Sequence, residues 1–151
     1  PNFIYTLLAR RQYWQRLVDN PELVPQAVEE LSRYIPLDAS AKLARIATED
    51  IELGGQLVRA GEALLVQLDS ANRDEAVFDH PNELDFDRAD NPHIAFGHGA
   101  HHCLGAPLAR LELQVALGTL VRRLPGLRLA VPADEVQWRS DRLVRALPVR
   151  W

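Results

Sequence analysis

The chain has 151 residues, 47% hydrophobic and 25% charged, with 17 Lys and Arg against 21 Asp and Glu. That is long enough for a domain with a real core and too apolar for a disordered segment. A net charge of −4 gives no basis for nucleic-acid binding, no apolar run approaches a membrane span, and a single cysteine fits a reducing compartment and a cytoplasmic location.

Phe3, Ile4, Leu7 and Leu8, then Trp14, Leu17 and Val18, recur at helical spacing, with Arg10-Arg11 as a polar interruption. The first residue is Pro1 and no Met occurs. The segment reads as a helix already in progress, so a chain cut ahead of residue 1 is expected. Asn20-Pro21 stops the pattern, because a residue before Pro is pushed out of the α region. A second helix is predicted from Glu22 to Tyr34, ended by Pro36, with Leu23, Val24, Ala27, Val28 and Leu31 as apolar members. Glu30 and Arg33 share one face of it. At that spacing the ordinary reading is a solvated pair worth about 0.3–0.5 kcal/mol.

From Ala44 to Leu68 the period changes, and Ala44–Thr48, Ile51–Leu53, Gln56–Val58 and Ala63–Leu68 read as short strands. Gly54-Gly55 and Ala60-Gly61 mark turns between them. Taken alone, Arg45 is an exposed strand arginine. Asn72-Arg73-Asp74 reads as structural, and Asp79 to Asn91 as an acidic meander rich in turn formers.

Phe96 to Arg110 then forms a loop that holds the cysteine, Cys103, and runs into the longest helical pattern. Leu104, Leu108, Leu111 and Val115 make one apolar stripe; Leu113, Leu117, Leu120 and Leu124 make an adjoining one. Together they predict a helix buried on most sides, with Pro107 in its first turn. Unpaired amides and the helix dipole favour negative charge at such a start, which suits a soft metal ligand or a nucleophile. Gly97, Gly99 and Gly105 let the backbone pass close to something flat and bulky. Three readings of Cys103 stay open on these residues: a buried structural thiol, a zinc site with His98 and His101, and the axial thiolate of a haem. Zinc is disfavoured because closed zinc sites usually pair their cysteines. Arg122-Arg123 and Pro125-Gly126 close the helix, and Leu127–Val131 and Leu143–Trp151 read as closing strands.

The stretch resembles the haem-binding loop of the cytochrome P450 family. The pattern Phe-Gly-x-Gly-x-x-x-Cys-x-Gly, extended by Leu-Ala-Arg, is met by Phe96, Gly97, Gly99, Cys103, Gly105, Leu108, Ala109 and Arg110. His98 and His101 resemble the bacterial members. Glu30-Leu31-Ser32-Arg33 resembles the family's Glu-x-x-Arg motif, in which the pair is buried and joined by a basic residue from the loop ahead of the cysteine. Phe78–Arg88 resembles that loop, and Arg88 is the candidate third member. The segment around Arg45 resembles one whose arginine reaches a haem propionate, and His101 matches a second propionate contact. The likeness covers essentially all 151 residues, but only the C-terminal portion of a family member.

The resemblance implies a mainly α fold with small β-sheets (α+β), residues 1–151 forming an incomplete part of a single P450 domain. It implies haem b held by Cys103, the one metal ligand, with His101, Arg45, Phe96, Gly97, Gly105 and Ala109 also at the cofactor and Glu30, Arg33 and Arg88 structural. Residues Leu37–Ala44 would line the substrate pocket. Relatives often carry a Gly-containing turn before the Leu-Pro-Val segment, whereas Leu143 to Pro148 runs straight through here. The implied activity is a monooxygenase that inserts one oxygen atom from O2 into a small organic substrate, with electrons from a ferredoxin-type partner and no membrane or nucleic acid involved. Arg122-Arg123 is a candidate contributor to docking that partner, with a solvated surface role as the ordinary reading. No catalytic residue is identifiable, because the family's acid–alcohol pair lies upstream of residue 1. The isolated chain is therefore expected to be inactive and to expose an apolar patch. The alternatives are a catalytically silent haem-binding fragment, or a haem-thiolate enzyme of peroxygenase, coupling or isomerase type.

Overall fold

The N-terminal helical pattern divides where its polar interruption falls. In the computed structural model, which describes residues 1–36 and 44–151, α1 (Asn2–Ala9) and α2 (Arg11–Asp19) are separated at Arg10, whose φ of −119° and ψ of 71° leave the helical region. A 3₁₀ turn over Pro21–Leu23 leads into α3 (Val24–Tyr34). The α-helix thus starts two residues after the expected Glu22, with Pro25 in its first turn. Ile35 is extended, as the residue before Pro36 must be.

The strands among the described residues pair as four two-stranded antiparallel sheets. β1 (Arg45–Ile46) pairs with β4 (Ala63–Leu64), and inside them β2 (Ile51–Leu53) pairs with β3 (Gln56–Val58), Ile51 opposite Val58. Gly54 and Gly55 both have positive φ, 56° and 77°, which the two-residue turn of this hairpin needs. The expected strand over Ala63–Leu68 is cut to two residues: Leu65 and Val66 stay exposed, and the chain turns into the short α4 (Leu68–Ala71). After α5 (Ala106–Arg123), β5 (Arg128–Leu129) pairs with β8 (Val149–Arg150), and β6 (Gln137–Trp138) with β7 (Val144–Ala146). The expected closing run from Leu143 is therefore two strands with different partners. They part at Leu147-Pro148, where Pro148 has no N–H to give but accepts from Ala130 N–H at 2.9 Å. β6 escaped the sequence reading because two residues carry no period.

The core lies among α1, α2, α3 and α5. Leu7, Trp14, Leu17, Val28 and Leu31 are wholly buried, and Leu84 and Phe86 of the meander and Leu117 and Val121 of α5 close on them. Each large side chain there contributes about 1.5–3 kcal/mol through burial. Trp14 Nε1 donates to Pro125 O at 3.0 Å, and Arg11 caps the carbonyls of Pro125 and Leu127, tying the exit of α5 to α2.

The expectation that α5 is buried on most sides is wrong. Among the described residues only the stripe through Leu117, with Val121 and Gly118, is packed, against α3 and α2. Leu108, Leu111 and Val115 are 58–59% exposed, and Leu104 is 98% exposed. Among the described residues no element lies over that second stripe to take it from water. No helix among them is long and apolar enough to cross a membrane.

Candidate functional site

Two adjacent carboxylates on α3 organise the loops in front of the cysteine. Glu30 is fully buried and meets Arg33 side by side: Arg33 Nε donates to Oε2 at 2.8 Å and Nη2 to Oε1 at 2.7 Å. The remaining Arg33 donors go to the carbonyls of Asn72 and Pro81, both at 2.8 Å, and Glu83 at 2.9 Å. A guanidinium has five N–H donors, and here all are used. Glu30 in turn accepts from Asp85 N–H at 3.0 Å, Asn91 Nδ2 at 3.1 Å and Arg88 Nε at 3.2 Å. Arg88 also donates to Asp79 O at 2.8 Å. The charges leave water, but every oxygen and nitrogen of the pair finds a partner, which is the condition for such a pair to persist.

Glu29, one residue earlier, gathers a second set. Its carboxylate takes Arg110 Nε of α5 at 2.9 and 3.0 Å and faces His93 Nε2 at 3.0 Å. The His93 side chain is only 2% exposed. Its Nδ1 accepts from Ala95 N–H at 3.2 Å, so in the neutral ring Nε2 carries the proton and donates to Glu29. Burial holds the His93 pKa below the ordinary histidine value, with the Glu29 hydrogen bond pulling the other way. Asn72, also buried, accepts Ile94 N–H on Oδ1 at 2.8 Å, fixing the start of the cysteine loop.

From Ile94 the loop turns through Gly97 (φ 76°) and Gly99 (φ 73°), conformations that a side chain would strain. Cys103 N–H closes the turn onto Phe96 O at 2.9 Å. Helix α5 begins at Ala106 with Gly105 as its N-cap, so Cys103 sits two residues ahead of the cap, and it is exposed. In this chain Cys103 is therefore not packed away as a buried structural thiol. A cavity of ≈ 550 Å³ opens over the sulfur, lined among others by Arg45, Phe96, Gly97, His98, His101 and Cys103. Its remaining wall is apolar, with Val66 and Leu68 from the segment after β4. Gly105 borders the sulfur from the helix side: a Cβ there would lie 3.9 Å from Cys103 Sγ. Neither backbone strain nor collision demands glycine at 105, whose φ is −82°. Among the described residues His98, His101 and Cys103 do not converge as a three-ligand metal set, which removes the zinc reading. A separate cavity of ≈ 320 Å³ between α1 and α5, lined by Phe3, Ile35, Leu117 and Leu120 among others, offers no titratable side chain among the described residues.

Residues 5–142 match the family model for cytochrome P450. This chain belongs to the cytochrome P450 family. It is 60% identical over 151 residues to the nocardicin C N-oxygenase of Nocardia uniformis subsp. tsuyamanensis, covering 98% of this chain and 38% of that protein. It is 49% identical over 153 residues to the mycinamicin IV hydroxylase/epoxidase of Micromonospora griseorubida, again 38% of the relative and 99% of this chain. The structure of the LnmA cytochrome P450 hydroxylase from the leinamycin biosynthetic pathway of Streptomyces atroolivaceus superposes with a TM-score of 0.92 at 53% identity, over 99% of this chain and 39% of that one. The chain thus spans about 38% of the length of the curated relatives it matches. The α-helical fold with small antiparallel sheets is that of the matching part of P450 structures.

P450 membership implies a haem, and the residues fit one. A lining that joins a cysteine, several apolar side chains, a guanidinium and two imidazoles suits a flat apolar group with a metal centre and acidic substituents. Of the cofactor residues named from sequence, Arg45, Phe96, Gly97, His101 and Cys103 line one cavity, and Gly105 borders it at the sulfur. Ala109 sits half-buried in the first turns of α5 and is not among the lining residues. The substrate-pocket expectation at Leu37–Ala44 falls, apart from Ala44, outside the described residues. Sequence reading missed Glu29, His93 and Asn91. A lone histidine after Asn91-Pro92 carries no periodicity that would mark it as buried, although the doubled Glu29-Glu30 beside a known motif was a usable signal.

Proposed function

We propose that the complete protein is a haem-thiolate monooxygenase that inserts one oxygen atom from O2 into a small organic substrate, with Cys103 as the axial iron ligand. The observation that carries this is the single cavity in which Cys103, Phe96, Gly97, His101 and Arg45 meet. The relatives' names, an N-oxygenase and a hydroxylase/epoxidase, support oxygen insertion as the reaction class.

Haem with a thiolate ligand supplies activation of O2, favouring O–O cleavage over reversible storage. The chain's own residues do the rest of what this region can do. The left-handed turns at Gly97 and Gly99 bend the loop so that the sulfur faces the cavity, and the Phe96 carbonyl holds the Cys103 amide in that bend. The amides of Leu104 and Gly105, which among the described residues donate to no backbone carbonyl, are available to stabilise negative charge at the sulfur. Arg45, exposed on β1, presents two parallel donors to a carboxylate, and His101 adds one from the loop. Phe96, Val66 and Leu68 give the cavity apolar surface. A ferredoxin-type electron donor and a cytoplasmic setting complete the reading.

The test is the carbonyl spectrum of the reduced complete protein. A red-shifted Soret band is expected, and its loss in C103A. A band that survives Cys103→Ala overturns the ligand assignment.

A further inference from the structure

Glu29, His93, Arg110 and Phe96 form a cluster that connects α3 to the backbone of the cysteine. Glu29 holds Arg110 through two contacts at 2.9 and 3.0 Å and His93 at 3.0 Å. Both of these partners then lie against Phe96. The Arg110 guanidinium carbon stands 4.6 Å from the Phe96 ring centroid, and the His93 ring lies 6.2 Å from it at 49°. Phe96 is at once a wall of the cavity and, through its carbonyl, the acceptor of Cys103 N–H. His93 has a second hold on the same turn, because its Nδ1 fixes the amide of Ala95, the residue before Phe96. A buried imidazole satisfied at both nitrogens has one orientation, and a planar guanidinium anchored at its Nε has little freedom to leave the ring it covers.

We infer that Glu29, acting through His93 and Arg110, fixes the Phe96 ring and the Cys103 backbone and so sets the position of the sulfur against the cofactor. These are positioning residues, and the inference rests on the axial-ligand reading above. It differs from a purely stabilising role because the anchored element is the one that carries the ligand. Two substitutions separate position from charge. His93→Leu removes a neutral ring, and Arg110→Lys keeps the charge while losing the planar stack and the paired contacts on Glu29.

The experiment uses the full-length holoprotein and reads the ferric–ferrous potential and the carbonyl Soret band alongside thermal unfolding. H93L and R110K are expected to shift the potential and to convert part of the red-shifted band to an unshifted one. H93Q, which retains a donor and an acceptor, is expected to restore both. L17A, a core truncation in α2 that has no part in the cluster, serves as the control: it lowers the unfolding temperature without moving either readout. If H93L yields no holoprotein, R110K decides. Variants that lose stability alone, with potential and band as in the wild type, overturn the inference and leave the axial ligand in place. A red-shifted band that survives Cys103→Ala overturns the axial ligand itself, and the inference with it.

Discussion

Arg33 and Glu30 meet as a paired, side-by-side ion pair at 2.8 and 2.7 Å, with side chains almost entirely removed from solvent. The pair is less a source of net stability than a constraint. Taking both charges out of water costs several kcal/mol, and the return comes only if every donor and acceptor is met. Arg33 meets its quota by gathering the carbonyls of Asn72, Pro81 and Glu83, so one guanidinium fixes three points of the loop that leads to the cysteine.

Removing either partner leaves the other buried and uncompensated. Glu30→Ala and Arg33→Ala are each expected to cost about 3–5 kcal/mol, a large share of the roughly 5–15 kcal/mol that holds a domain together. Arg33→Lys should fare little better, since an ammonium cannot reproduce five planar donors. Yield of soluble holoprotein and chemical unfolding check this. A variant with wild-type stability would show that the loops are held by other means.

Arg88 occupies the same cluster with less at stake. Arg88→Ala is expected to cost about 1.5–3 kcal/mol, the range for a hydrogen bond to a charged group. Glu30 Oε2 keeps Arg33 and Asn91 when Arg88 is gone. The ranking of urea midpoints, with the Arg88 variant well above the Glu30 and Arg33 variants, is the measurement that matters.

How much of this was legible in the chain depends on whether a residue announces itself by pattern. Glu30, Arg33 and Cys103 stand in spaced motifs, and the helices around them follow apolar periods, so their places were readable. Burial was not. The two stripes of α5 look alike in sequence, yet Leu117 is packed and Leu111 faces solvent, because only the neighbouring elements decide which stripe is covered. Nor does a motif show a partner brought in from far along the chain. His93 reaches Glu29 across 64 positions, and Arg110 reaches it across 81. Strand β6 was missed for another reason: it has two residues, and two residues cannot display a period of two.

The exposed stripe on α5 makes a prediction about the 151-residue chain itself. Leu108, Leu111 and Val115 form a contiguous apolar surface beside the 98% exposed Leu104, and surfaces of this kind drive self-association. The chain is expected to bind a hydrophobic dye and to associate in proportion to concentration. Leu111→Lys with Val115→Lys should reduce both while costing no more than about 0.5 kcal/mol per exposed site. Light scattering and dye fluorescence of the paired proteins test it.

His93 gives the stability of this region a direction with pH. Burial, the dominant cause, puts its folded pKa below the ordinary value of about 6.5. As pH falls, the unfolded chain takes up the proton first, so acid favours unfolding. The contribution is complete above about pH 6.5 and is lost as pH drops through the depressed folded value. His93→Gln has no such proton to take up and should flatten that part of the profile. Urea midpoints of wild type and H93Q across this range would show parallel slopes if His93 were not responsible.

Arg45 allows cofactor binding to be separated from folding. Its strand is two residues long and exposed, and β1 is joined to β4 by backbone pairing that a side-chain change leaves intact. Arg45→Ala is therefore expected to alter stability of the cofactor-free protein by no more than about 0.5 kcal/mol. If the guanidinium holds an acidic substituent of the haem through paired hydrogen bonds, the same substitution weakens haem binding by about 1.5–3 kcal/mol, or roughly ten- to a hundredfold. His101→Ala should act in the same direction from the loop side of the cavity, and Arg45→Lys should recover only part of the loss, because a point charge lacks the paired donors. Rates of haem transfer to an acceptor protein read the effect without requiring turnover. Unchanged transfer in both alanine variants would remove Arg45 and His101 from the cofactor site while leaving Cys103 to be judged on its spectrum.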